Sequence, residues 1–350
     1  MDIIPSTFNR FSGKNPFDDP RAQEFLKTSR WLKKTAKPPK VVVLENSEGV
    51  RKTCKAIGGP PVDFIFNGVL EHEDGKKEKV GLKLLKRWVV LGPFYLSASG
   101  QGLAHLRMRF WVVLVRQDCY QELVTQKLED SISRVRYLRP KQSFLEYIGD
   151  TLNAMEDEAR LVKRQKLLCT HNNRTYYRFL NDSQPKLLEL CSVLEIPRIT
   201  TTAGRPFSTK ASDLELLGLT PLQVGTLDIC ASVMLKLHGE IPNDCIVDIS
   251  QSAERKPWKI GGTIPTPCTS SMFYLLKHRR LLTPVTMFEI MGWPKEKLNL
   301  NGLSVHDARI LVGQMMAVPC VGAVLAAVLS AVPLRKELLP SANPFSTQSP

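Results

Sequence analysis

Apolar residues recur at helical spacing over residues 21–35. Phe25, Leu26 and Trp31 share one face while Arg30, Lys33 and Lys34 take the other, which predicts an amphipathic helix. Lys37-Pro38-Pro39-Lys40 breaks it. Val41-Val42-Val43-Leu44 is a continuous, β-branched apolar run bounded by prolines, the pattern of a strand buried on both faces as in a parallel sheet. It runs into Glu45-Asn46-Ser47-Glu48-Gly49, polar residues at a strand's carboxyl end, where open α/β sheets hold ligands. Further strands are predicted over 88–96 and 110–115, with a turn over 97–102. Helices are predicted over 121–133 and 143–167, the second rich in both charges. From 168 to 270 short apolar runs alternate with Gly, Pro, Thr and Ser and no period holds. Helical patterns return over 284–292 and 305–331. No internal repeat is visible, and residues 341–350 read as a disordered tail. The pattern describes an α/β portion, an irregular insertion and a helical return.

The chain has 350 residues, room for about two domains at roughly 150 residues each. Hydrophobic residues at 43% and charged residues at 23% exclude a disordered, collagenous or disulfide-stapled chain. Lys and Arg outnumber Asp and Glu by 48 to 34, a net charge of +14. That excess serves solubility or a polyanionic partner, nucleic acid or an anionic membrane. The eight cysteines lie at least 15 residues apart, so no Cys-x-x-Cys pair offers a local metal site, and they read as thiols in a reducing compartment. The first twenty residues have the acids and prolines that a signal peptide lacks.

Residues 310–334 carry no charge and are followed by Arg335 and Lys336, long enough for a membrane span. Gln314, Pro319, Pro333 and many alanines favour a buried helix of a soluble α/β domain instead. In that case a large side chain at Gly322 is expected to overpack it.

Several short motifs follow one another in order. Glu45-Asn46-Ser47 ends a strand. His105-Leu106-Arg107-Met108-Arg109 leads into an apolar strand. Arg280-Leu281-Leu282-Thr283-Pro284 precedes Gly292-Trp293-Pro294, and Gly313-Gln314 precedes Ala317-Val318-Pro319. This ordered set resembles the C-terminal portion of DNA cytosine-5 methyltransferases, over roughly residues 8–120 and 245–332. Phe11-Ser12 with Asp19-Pro20-Arg21 is similar to the stretch just after the family's nucleophile loop.

The resemblance implies an α/β fold: the second half of a doubly wound, Rossmann-like methyltransferase sheet with an inserted, irregular target-recognition domain. The expected divisions are 1–134 for the partial core, 135–270 for target recognition, 271–335 for a helical return to the core and 336–350 for a disordered tail. It implies S-adenosyl-methionine as cofactor, double-stranded DNA as partner, no membrane, no metal, and an intracellular place, nuclear in a eukaryote and cytoplasmic otherwise. In that family a cysteine thiolate attacks cytosine C6 while a carboxyl group bonded to N3 and the exocyclic amine activates the base. The matching carboxyl is Glu45. Arg109 matches the arginine on the O2 side, and Arg107 orders the loop around it. Gly313 and Gln314 match the cofactor-side helix entry. Arg139, Lys163, Arg164, Thr269, Ser270, Arg279 and Arg280 are the expected DNA contacts. The plainer alternatives are a solvated strand-end acid for Glu45, phosphate contacts or surface ion pairs for the two arginines, and a polar turn for Thr266, Thr269, Ser270 and Ser271.

The chain departs from the family in lacking an aromatic-x-Gly-x-Gly cofactor turn and a Pro-Cys nucleophile ahead of Glu45. Pro267-Cys268 and Pro319-Cys320 stand in other motif contexts. His105 replaces a glutamine, Gln314 an asparagine, and Thr286 stands where a glutamate is usual. The expectation is therefore a family member that is truncated or inactive by itself, with an upstream segment or partner chain supplying the rest. The alternatives are a non-catalytic DNA-binding remnant and a tail-anchored membrane protein.

Overall fold

The computed structural model describes residues 2–4, 23–51, 59–72, 75–135, 143–148, 219 and 221–332. The chain is mixed α/β and divides into two units. One is formed by the described residues within Met1–Ser97, Met108–Leu138 and Cys320–Pro350, the other by those within Ala98–Arg107 and Arg139–Pro319.

The first unit is built on a four-stranded sheet. Its strands are β1 (Asp2–Ile4), β2 (Val41–Ser47), β5 (Trp88–Ser97) and β6 (Met108–Arg116), in the order β1-β2-β6-β5. Only β1 and β2 run parallel; β2 with β6 and β6 with β5 are antiparallel. The parallel neighbourhood expected for Val41–Leu44 is thus half realised. A continuous apolar run reports burial of both faces and is silent about strand direction. The ten residues between β5 and β6 are too few for a parallel crossover, which takes a dozen or more. A bulge between Leu91 and Phe94 falls where Gly92 takes φ +100°, a conformation glycine adopts without a Cβ penalty.

One sheet face, with Leu44, Phe110, Val112 and Leu114, shares a core with helix α1 (Gln23–Lys34) and helix α2 (Pro61–Asn67), through Phe25, Leu26, Leu32, Ile65 and Phe66. Lys77–Lys79 forms strand β4, paired with β3 (Val69–Glu71) in an exposed ribbon. Helix α3 (Glu122–Val135) buries Val124, Leu128 and Ile132 at i, i+4 and i+8.

The second unit holds an 18-residue helix, α4 (Pro221–His238), inside the stretch that showed no period. Leu227, Ile229, Cys230, Ala231, Val233 and Met234 are all buried. With Thr226 and Asp228 buried among them, the helix has no polar face and leaves no amphipathic trace. Strands β7 (Ile246–Asp248), β8 (Trp258–Lys259), β9 (Phe273–Leu275) and β10 (Arg280–Leu281) form an antiparallel sheet in the order β10-β9-β7-β8. The division expected at residue 270 falls inside this sheet, because β7 pairs with β9 across it. Residues 271–319 therefore group with the second unit instead of returning to the first. Helix α5 (Pro284–Ile290) is capped by Thr283, whose hydroxyl accepts from the Thr286 amide.

The helix expected over 305–331 is two helices, α6 (Val305–Gln314) and α7 (Val318–Ala331), divided at Met315, whose backbone is extended. Together they make a stretch, Val305–Ala331, that is long and apolar enough to cross a membrane by length and composition alone, and a third of its most apolar window is buried inside the protein. Gly322 is exposed, and a Cβ built there meets nothing within 4 Å, so the expected overpacking has no atoms to act on.

Candidate functional site

Two polar centres emerge, one in each unit. The first lies at the carboxyl end of β2. Antiparallel register sets Glu45 opposite Trp111 and Ser47 opposite Arg109, so these four side chains leave the same sheet face. Glu45 is 5% exposed. Arg109 Nε lies 2.5 Å from Glu45 Oε1, a charge contact rather than a well-aimed hydrogen bond, and Arg109 Nη1 donates to the Met108 carbonyl at 3.1 Å. Two side chains 64 positions apart in sequence meet because β6 lies beside β2. The indole N–H of Trp111 is buried without an acceptor, and an unsatisfied buried donor costs about 1–3 kcal/mol.

Next along β2, Asn46 points to the opposite face. Its Oδ1 accepts from the Ser47 amide at 2.6 Å, and its buried Nδ2 has no partner. Asn46 and Glu45 border a cavity of about 10 Å³ walled by Phe25, Ile65, Leu82 and Phe110. That is room for about one water.

The second centre surrounds the loop from Thr266 to Ser271. Arg107, 3% exposed, donates to the carbonyls of Pro267 at 3.4 Å, Val312 at 3.5 Å and Gly313 at 3.0 Å. It thereby caps the last turn of α6 and ties the loop to it. Gly313 lets the two backbones touch: a Cβ there would stand 2.2 Å from the Thr269 amide nitrogen. On the far side of the loop Asp248, buried at the end of β7, accepts on Oδ2 from the Ser271 hydroxyl at 3.0 Å. Its Oδ1 accepts from the Ser250 amide, the Ser250 hydroxyl and the Met272 amide. The Ser271 hydroxyl in turn accepts from the Cys268 amide. Thr266, Cys268, Thr269 and Ser270 are exposed above these anchors.

Beyond this loop, β9 and β10 are joined by a basic turn, Lys277-His278-Arg279, with Arg279 at φ +51°. These three residues are exposed and Arg280 is half-buried, and Lys277 reaches Glu240 only at 3.5 Å. The turn is a compact positive tip.

Of the expected catalytic residues, Glu45 and Arg109 meet in the first unit, while Arg107 belongs to the second and works as a clamp on backbone carbonyls. Thr269 and Ser270 lie on the anchored loop, and Arg279 and Arg280 at the hairpin. Arg139, Lys163 and Arg164 lie outside the described residues. Gly313 and Gln314 end α6, with Gly313 against the loop backbone and Gln314 exposed.

Among the described residues no cysteine stands on β2, β5 or β6. Burial pushes the Cys230 thiol well up and that of Cys245 up to about 12, which makes both poor nucleophiles. Cys320 is buried, and Cys54 lies outside the described residues. Among the described residues no group of three His, Cys, Asp or Glu is placed to hold a metal ion.

The sequence reading missed Asp248. Its signal was local: Asp248-Ile249-Ser250 closes an apolar strand with an Asx-turn, the carboxylate bonding two residues ahead. No protein-family model matches the chain, and no curated protein matches it.

Proposed function

We propose that this chain is part of a DNA cytosine-5 methyltransferase, carrying the base-binding carboxyl and arginine, and that by itself it binds duplex DNA without transferring a methyl group. The observation that supports this most is the Glu45–Arg109 contact. It joins the two residues that the resemblance assigns to cytosine N3 and O2, buried at a strand's carboxyl end. In the finer reading the sheet β1-β2-β6-β5 is the latter half of a doubly wound sheet, its parallel pair β1–β2 being the start of that half.

The chemistry of the pair follows from its burial. Closed, each charge neutralises the other in a low-dielectric setting. A cytosine entering the site exchanges partners: Glu45 releases Arg109 and takes the N3 edge and the exocyclic amine, and the guanidinium turns to O2. The base must also leave its duplex stack, which costs a few kcal/mol and least at a mismatch. In the second unit the Lys277–Arg280 turn and the loop hydroxyls offer phosphate contacts, which add affinity without reading sequence.

Methyl transfer needs a thiolate at C6 and a held methyl donor, and the described residues offer neither at the pair. The expected outcome is no methyl transfer and no covalent trapping on DNA containing 5-fluorocytosine. Duplex DNA binding tests the wider reading. Affinity is expected to fall steeply as salt rises from 50 to 200 mM, with Arg279→Ala and Arg280→Ala each reducing the log–log slope by about 1. A salt-independent affinity, or no binding at 50 mM salt, contradicts it.

A further inference from the structure

The proposed DNA contact at Thr269 and Ser270 raises the question of what holds an exposed loop in one shape. Exposed polar loops sample many conformations, and fixing the backbone costs about 1–2 kcal/mol per residue. Here the loop is tied from beneath. Arg107 holds the Pro267 carbonyl, the Cα of Gly313 abuts the peptide between Cys268 and Thr269, and the Ser271 hydroxyl joins the Cys268 amide to Asp248.

Asp248 is the hub of this arrangement. Its carboxylate is 5% exposed and accepts four hydrogen bonds, two from backbone amides and two from serine hydroxyls. Its own amide donates to the Pro257 carbonyl, which fixes it from the strand side as well. A carboxylate removed from water to this extent needs such donors to offset desolvation. Two of the four come from Ser271 and Met272, the residues on which the loop lands. The carboxylate therefore sets where the loop ends, and through Ser271 it sets the Cys268 amide at the loop's apex.

We propose that Asp248 is a positioning residue for nucleic-acid binding: by holding Ser271 and Met272 it fixes the loop so that the hydroxyls of Thr269 and Ser270 meet a phosphate without further ordering cost. The role in binding rests on the DNA-binding reading above; the latch itself does not. Preorganisation of this kind raises affinity by removing the cost of ordering on association.

The test uses the full chain, a 20-base-pair duplex and two variants, Asp248→Ala and the milder Ser271→Ala. In both, the Cys268 amide is expected to exchange with solvent at least tenfold faster, and in Asp248→Ala the Met272 amide as well. The Leu282 amide, bonded to the Phe273 carbonyl outside the latch, keeps its rate. Duplex affinity is expected to fall about fivefold in each variant with the salt slope unchanged, since no cation is lost. In the background Thr269→Ala plus Ser270→Ala, Asp248→Ala is expected to cause no further loss, because the groups it positions are gone. A merely structural role would weaken both backgrounds equally, and that result overturns the proposal. Unchanged exchange at Cys268 and Met272 overturns it too. If the wild-type chain binds no duplex at 50 mM salt, the DNA reading and the positioning role both fall, while the exchange rates still decide whether the latch exists.

Discussion

Glu45 and Asp248 are carboxylates buried to the same degree, each 5% exposed, one in each unit of the molecule, and their partners could hardly differ more. Glu45 meets a long-range cation, the Arg109 side chain on a neighbouring strand. Asp248 is held by four neutral donors, two of them backbone amides and all within 24 residues of it. A flexible guanidinium can turn away to admit a ligand; backbone amides fixed in a sheet and its adjoining loop cannot. On the proposed reading, the carboxylate with a movable partner is the one that binds, and the one with fixed partners holds something else that binds.

The largest expected effect breaks the first carboxylate. Arg109→Ala removes the cation that meets buried Glu45 and is expected to lower stability by about 3–5 kcal/mol, read by urea unfolding. Adding Glu45→Gln should recover part of that loss, because the stranded charge is then gone. An Arg109→Ala loss below about 1 kcal/mol would mean that water already reaches the pair.

Two glycines sharpen the second half of the comparison. Gly313→Ala drives a Cβ into the Cys268–Thr269 backbone and is expected to cost about 1–3 kcal/mol. Gly322→Ala on the exposed face of α7 meets no atom and should stabilise by about 0.5–1 kcal/mol, the helix propensity of alanine over glycine. Thermal melts of the two variants are expected to shift in opposite directions.

The smallest effect concerns an ion pair that neither centre uses. Arg30 reaches Glu78 with both Nε and Nη2, at 2.9 and 2.7 Å, and this hydrogen bonding holds the Glu78 carboxyl below the usual carboxylate range, with His72 contributing less. A depressed folded-state pKa gives stability that is present above the unfolded-state value and is lost as pH falls through the folded one. The wild type should therefore lose more stability than Glu78→Gln between pH 6 and pH 3. The difference is expected to stay under about 1 kcal/mol, since both side chains are partly exposed.

Much of the first unit was legible because its strands and helices carry strong periods. Val41–Leu44, the strand from Trp88 and the run from Phe110 stand where the apolar pattern put them, each extended by one to three residues of polar edge. Direction was not legible, since burial on two faces looks the same in parallel and antiparallel strands. Helix α4 was hidden because buried polar residues, Thr226 and Asp228, interrupt its apolar pattern and leave no polar face, and the sheet around Asp248 by strands of two or three residues, too short to show alternation. Arg107 and Arg109 illustrate the limit of a motif. Two residues apart in one pattern, they fall in different units, one clamping carbonyls and the other facing a carboxylate. Nothing in the spacing distinguishes those roles.

The binding role of Glu45 is tested most directly by duplex binding with one unpaired cytosine. A duplex carrying a mismatched cytosine presents a base that is already cheap to extrude. The wild-type chain is expected to bind it at least fivefold more tightly than the matched duplex at the same salt, and Glu45→Gln is expected to erase that preference while leaving matched-duplex affinity and its salt slope intact. Equal affinity for the two duplexes in the wild type, or a preference that survives Glu45→Gln, would contradict the account.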